Sequence, residues 1–131
     1  MTQDRDELQA IERLVESIRT NFGALFAIAI RLRPWLEVKA GVLPDDMDKG
    51  LLRSLFGGQA EVARLASGLK GRDPSLLPEL WSQGDVSCVV DTNGNGWYAG
   101  FLFQTKGDVL QDAKRSKLVS AEFRVAFSAM S

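Results

Sequence analysis

No histidine occurs anywhere in this sequence of 131 residues. That absence removes Ser-His-Asp and Cys-His nucleophile systems, the usual neutral-pH general base, and the commonest ligand for zinc, copper or iron. Cysteine occurs once, at Cys88, so no disulfide can close within the chain, and a reducing, cytoplasmic setting is expected. Cys88 sits in an apolar strand pattern and reads as a small buried hydrophobe rather than a reactive thiol. Neither sign of charge is in excess: Lys and Arg number 16, Asp and Glu 17, and a net charge of −1 gives no overall field to draw nucleic acid or an anionic membrane. Neither is expected as a partner. Long apolar runs are missing too. The longest, Phe22 to Ile30, falls far short of the roughly 20 residues a spanning helix needs. The polar, acidic start MTQDRDELQ is unlike a signal peptide, so a soluble protein without a cleaved signal is expected. The length suits one domain over residues 1–131, burying roughly two-thirds of its unfolded surface.

What is present is pattern. From Val86 to Gln104, VSCVVDTNGNGWYAGFLFQ, two apolar, β-branched and aromatic runs flank Asp91-Thr92-Asn93-Gly94-Asn95-Gly96, a cluster of turn-forming residues. This predicts a β-hairpin in the middle of a sheet. Near the start, Leu8, Ile11, Val15, Ile18, Phe22, Leu25, Ala29 and Leu32 recur at spacings of three and four, which predicts a helix from about Arg5 to Leu32, ended by Pro34. It is either a core helix packed on the sheet or a coiled-coil seam between protomers. Leu36, Val38, Ala40 and Val42 alternate with Glu37, Lys39 and Gly41 as a strand with one wet face. Asp45, Asp46 and Asp48 then open a short helix through Phe56, and Ala60 to Leu69 outline another after Gly57-Gly58. Arg72 to Gly84 reads as an irregular connection from which Trp81 plugs the core, and Thr105 to Lys117 as a solvated loop. Val119, Ala121, Phe123, Val125, Phe127 and Ala129 alternate with polar residues as a last strand, placed at an edge or completed by a neighbouring subunit. The expected class is α+β: a long N-terminal helix plus two short helices packed on a mainly antiparallel sheet of about four strands with a central β-hairpin. On that reading Val125→Asp abolishes folding or assembly, and Lys114→Ala does little.

No catalytic, cofactor-binding or metal-binding residue emerges. Asp91, Asn93, Asn95 and Gly96 match the first half of a calcium-binding loop, but position 12 of such a loop is Leu102, so the bidentate carboxylate is missing and only a weak site is conceivable. Turn formation accounts for the same residues without a metal. Asp45, Asp46 and Asp48 are the acids of a helix start, with no further ligands near. Gly94, Gly96 and Gly100 run into strand residues and offer a phosphate no helix N-terminus. Spacing singles out no pair among Glu37, Asp85, Asp91 and Glu122 for acid–base chemistry. Asp91-x-x-Gly94 between two strands resembles the opening of sensor domains of the PAS type, which implies a small-molecule pocket between hairpin and helices, lined by Trp97, Phe101 and Phe103.

A second resemblance covers roughly residues 36 to 129. Ala40-Gly41-Val42-Leu43-Pro44, a short helix, Gly57-Gly58, a second helix, Gly94-x-Gly96-x-x-x-Gly100 on a strand, a loop and a closing alternating strand follow in that order. The arrangement resembles the tail protein U family of P2-like contractile phages. The Leu8 to Leu32 helix and the longer segment from Gly71 to Val90 depart from the family, and Asp112-Ala113-Lys114-Arg115 is the nearest counterpart of its Asp-Gly-x-Pro-Arg-Lys-like turn. The resemblance implies a non-enzymatic structural protein of host cytoplasm or virion that needs no cofactor. It would form homo-oligomers through the first helix and last strand and join other tail or particle proteins. A PAS-like sensor is the alternative.

Overall fold

The computed structural model describes residues 2–43, 59–70, 78–83 and 85–128. Helix α1 (Thr2–Phe22) leads into strands β1 (Phe26–Arg31) and β2 (Leu36–Gly41), and helix α2 (Gln59–Lys70) into β3 (Glu79–Gln83), β4 (Val86–Thr92) and β5 (Trp97–Gln104). Helix α3 (Val109–Ala126) follows. The strands form one antiparallel sheet in the order β2-β1-β5-β4-β3. The class is α+β as expected, with five strands where about four were expected. The β4–β5 hairpin stands where the pattern put it, in a register running from Val86↔Gln104 to Thr92↔Tyr98.

Alternation along the strands divides the core between the two faces of the sheet. Ala27, Ala29, Val38, Val89, Trp97, Ala99, Phe101 and Phe103 meet Ile11, Val15 and Ile18 of α1, together with Val119 and Phe123 of α3 and Phe127 just after it. On the opposite face Phe26, Ile28, Ile30, Cys88, Val90 and Leu102 pack with Val62 of α2. Trp97 and Phe127 meet edge to face at 5.0 Å, and Phe101 and Phe123 at 6.2 Å, so α3 is keyed into the sheet by aromatic rings.

The long first helix stops ten residues before its expected end, at Phe22 rather than Leu32. Gly23 takes φ +69 just past the last turn, and the Ala24 N–H donates back to the Arg19 carbonyl at 2.9 Å, the left-handed stop that glycine permits. The next stretch, FAIAIR, is an inner strand between β2 and β5 with five consecutive buried residues. Both its faces are covered, so it shows a continuous apolar run instead of alternation, and such a run fits a helix equally well. Pro34, expected to stop the helix, lies in the turn joining β1 to β2. Gly41, at φ +86, closes β2 where a Cβ would run into the Leu25 carbonyl oxygen and the Arg19 side chain.

The expected last strand is the larger error. Val119 to Ala126 is the second half of α3, and the segment expected as loop from Thr105 to Lys117 contains its first half. Its buried residues, Asp112, Ser116, Val119, Ser120, Phe123 and then Phe127, recur at helical spacing, but half of them are polar, which hid the stripe. Val125, expected inside a strand, is 72% exposed. In the expected connection from Arg72 to Gly84, residues 79–83 are a strand, β3. Trp81 lies on it, with a side chain outside the described ones. The expected helix opened by Asp45, Asp46 and Asp48 and ending at Gly57-Gly58 also lies outside the described residues, whereas the following one is present as α2.

Candidate functional site

Two polar clusters hold α3 on the sheet and shape the surface around it. At the end of β4 the Asp91 carboxylate is fully buried and accepts two bonds from the Arg124 guanidinium, Nε to Oδ2 at 2.9 Å and Nη2 to Oδ1 at 2.7 Å. Ser120 Oγ donates to the same carboxylate. The bond to Asp91 raises the Arg124 pKa above its ordinary value. At the other end of the helix Asp108 is the N-cap, its Oδ1 accepting from the Gln111 N–H at 3.1 Å. One turn on, buried Asp112 accepts from Thr105 Oγ1 at 2.5 Å and from Arg115 Nη2 at 3.2 Å. Arg115 also donates to Ser87 Oγ at 3.2 Å and lies 4.1 Å over the Phe103 ring. Beside this second cluster is a cavity of about 530 Å³, whose lining includes Lys106, Gln111, Lys114, Arg115 and Leu118.

Two of the three candidate calcium ligands, Asp91 and Asn93, are already engaged by their side chains, and Asn95 is held through its backbone N–H. Asp91 faces Arg124, not the turn. Asn93 Oδ1 accepts from the backbone N–H groups of Asn95 and Trp97 at 2.8 and 3.1 Å, and its Nδ2 donates to the Phe127 carbonyl at 3.0 Å beyond the end of α3. Thr92 Oγ1 donates to the Trp97 carbonyl at 2.8 Å. The hairpin tip is therefore a turn tied to a helix end, and Asp91 and Asn93 have no lone pairs converging on an ion. Among the described residues no group of three or more Cys, Asp or Glu could hold a metal. Trp97, Phe101 and Phe103, expected to line a ligand pocket, are at most 2% exposed and filled in by Phe123 and Phe127. Glu37 pairs with Lys39 at 2.9 Å, well away from Asp91 across the sheet.

Sequence reasoning missed Asp112, Arg115, Ser120 and Arg124 because it had no helix to place them on. The signal was there in Asp108 followed three residues later by Gln111, the start of a capped helix.

Among the described residues the sheet ends in two strands that pair on one side only, β2 and β3. Edges of this kind are templates for another chain unless charge or covering protects them. Glu37 and Lys39 place two charges on β2; Glu79 is the single charged residue on β3.

No protein-family model matches the sequence, and no curated protein does. Solved structures do. The fold is similar to that of Myxococcus xanthus MglB, with TM-score 0.57 and 16% identity over 95% of this chain and 92% of that one. The gliding protein MglB of Thermus thermophilus matches with TM-score 0.50 and 18% identity over 86% and 84%. A Roadblock/LC7 domain from Streptomyces avermitilis matches with TM-score 0.44 and 20% identity over 86% and 96%. The chain thus has the MglB fold. This overturns the resemblance to phage tail protein U, and with it the tail, virion and particle-protein expectations: the closing strand on which that resemblance leaned is helix α3. It leaves the PAS-like alternative equally unsupported. No helix among the described residues is long and apolar enough to cross a membrane.

Proposed function

We propose that this chain is a non-enzymatic, regulatory interaction module that self-associates edge to edge through β3 and offers its helices to partner proteins. The observation that carries the reading is the outer edge of β3, which pairs with no other strand among the described residues and has little charge to deter pairing. Two copies meeting there about a two-fold axis continue one sheet into the next, an isologous contact in which each copy supplies the same strand. The lack of histidine, and the engagement of Asp91 and Asp112 by arginine and hydroxyl partners, support a role without catalysis. The fold shared with a gliding protein supports a role exerted through other proteins rather than on a small molecule.

Light scattering across a dilution series tests the proposal. A dimer is expected, and Ser82→Lys, which puts a charge at an exposed position of β3, weakens it at least about tenfold while the circular dichroism spectrum is unchanged. A monomer at every concentration, or a dimer that Ser82→Lys leaves equally tight, rules out the edge.

A further inference from the structure

Helix α3 is apolar on the side turned away from the core as well. Leu110, Leu118 and Val125 are 84%, 53% and 72% exposed, and with exposed Lys114 and Ala121 they recur at spacings of four, four, three and four. At 100° per residue these five positions fall within one quadrant, opposite the arc of Asp112, Ser116, Val119 and Phe123. Among the described residues, four of the five exposed large hydrophobic side chains belong to this helix, Val109 included. Isolated exposed apolar residues need no explanation, but a continuous stripe along one helix does.

The cavity of about 530 Å³ opens beside this stripe and shares Lys114 and Leu118 with it. Its two acids are already used, Asp108 by the Gln111 N–H and Asp112 by Thr105 and Arg115. Lys106 and Lys114 line the same cavity, and neither they nor neighbouring Lys117 enter an ion pair among the described residues. An apolar stripe with unpaired cations along it and a cation-lined cavity beside it is the complement of an amphipathic helix that carries carboxylates next to its apolar face.

We infer that the outer face of α3, through Leu110, Leu118 and Val125 together with Lys106, Lys114 and Lys117, is a docking surface for an acidic amphipathic helix of a partner protein. This surface is separate from the β3 edge and does not depend on it. A second copy is a poorer occupant, because an antiparallel α3–α3 pair centred on Leu118 sets Lys117 of one copy beside Lys117 of the other and covers Lys114, in the middle of the stripe, with Glu122 of the other copy as the one acid level with it among the described residues. A lipid surface is also a poorer occupant, because the stripe has no aromatic residue to lie at the interface and the adjoining cavity is concave.

The test uses a labelled helical peptide of about 18 residues with leucines on one face and glutamates flanking them, beside a twin with lysine in place of glutamate. Fluorescence anisotropy is expected to show saturable binding of the acidic peptide only. Lys114→Glu/Lys117→Glu and, separately, Leu118→Asp each weaken it at least about tenfold. All are exposed positions, and thermal melts confirm that the variants stay folded. The Ser82→Lys variant binds the peptide as tightly as the parent, so failure at the strand edge and failure at this surface are read separately. The inference is overturned if neither peptide binds, if both bind alike, or if Leu118→Asp leaves binding intact. It is equally overturned if Leu118→Asp abolishes self-association, which assigns the face to a second copy. Leu118-dependent sedimentation with phosphatidylserine vesicles in the absence of peptide binding assigns it to a membrane.

Discussion

Asp91 shows how much one buried carboxylate can organise. It lies at the end of β4 with no exposure, and its partners Ser120 and Arg124 come from a helix about thirty residues further along the chain. Arg124→Ala leaves that charge buried with one hydroxyl partner, which costs about 2 kcal/mol in urea unfolding; a fully buried pair costs more, but the Arg124 side chain is 39% exposed. A loss under about 0.5 kcal/mol would show the pair to be idle. Cys88 makes the opposite case, a titratable group with no partner among the described residues. Burial pushes its thiol from 9.0 up to about 12, so the folded chain holds the proton where the unfolded chain releases it. That stabilisation is complete below about pH 9 and is lost as pH climbs towards 12, at up to about 1.4 kcal/mol per pH unit. Tyr98, also raised by burial, acts in the same direction. Chemical unfolding between about pH 9 and 11 should become easier with pH, less steeply in Cys88→Ala, and the thiol should resist alkylation in the folded chain near neutral pH.

At the level of elements, the two misread segments failed for different reasons. FAIAIR is buried on both faces, so its pattern carries no period, and only the Asn21-Phe22-Gly23 stop distinguishes it from a continuing helix. Helix α3 has the reverse difficulty. Asp112, Ser116 and Ser120 make the inner face of its first part polar, and further on inner Val119, Phe123 and Phe127 interleave with outer Ala121 and Val125, so that the two stripes together mimic the alternation of a strand. The consequence for Val125 is a change of sign. A strand interior predicts collapse of Val125→Asp, whereas its exposed place on α3 predicts a thermal and urea stability within about 0.5 kcal/mol of the parent. Loss of folding in that variant would contradict the helix. The hairpin was legible because its turn chemistry is local: the oxygens Thr92 Oγ1 and Asn93 Oδ1 bond to backbone groups two to five residues away.

At the scale of the molecule, the described residues form one sheet with a core on each face, and α3 belongs to only one of them. Phe123→Ala removes a fully buried ring that touches Phe101 and Phe127, at about 3–4 kcal/mol. Val62→Ala, on the opposite face, should cost about 1–2 kcal/mol, and the two losses should add to within about 0.5 kcal/mol because the sheet separates them. Strong non-additivity in urea titrations would mean that the faces communicate through the strands. Composition and local pattern by themselves determined the α+β class, helix α1 apart from where it ends, strand β2, helix α2, the β4–β5 hairpin and the absence of histidine chemistry, since each rests on neighbours within a few turns of the chain. Tertiary structure alone decided that β1 lies between β2 and β5, that β3 and β2 form the edges among the described strands, and that α3 is a helix with Asp91 behind it. Those choices depend on which faces are covered by residues far away in sequence: coverage of both faces erases the period of β1, and polar residues at buried positions hide that of α3.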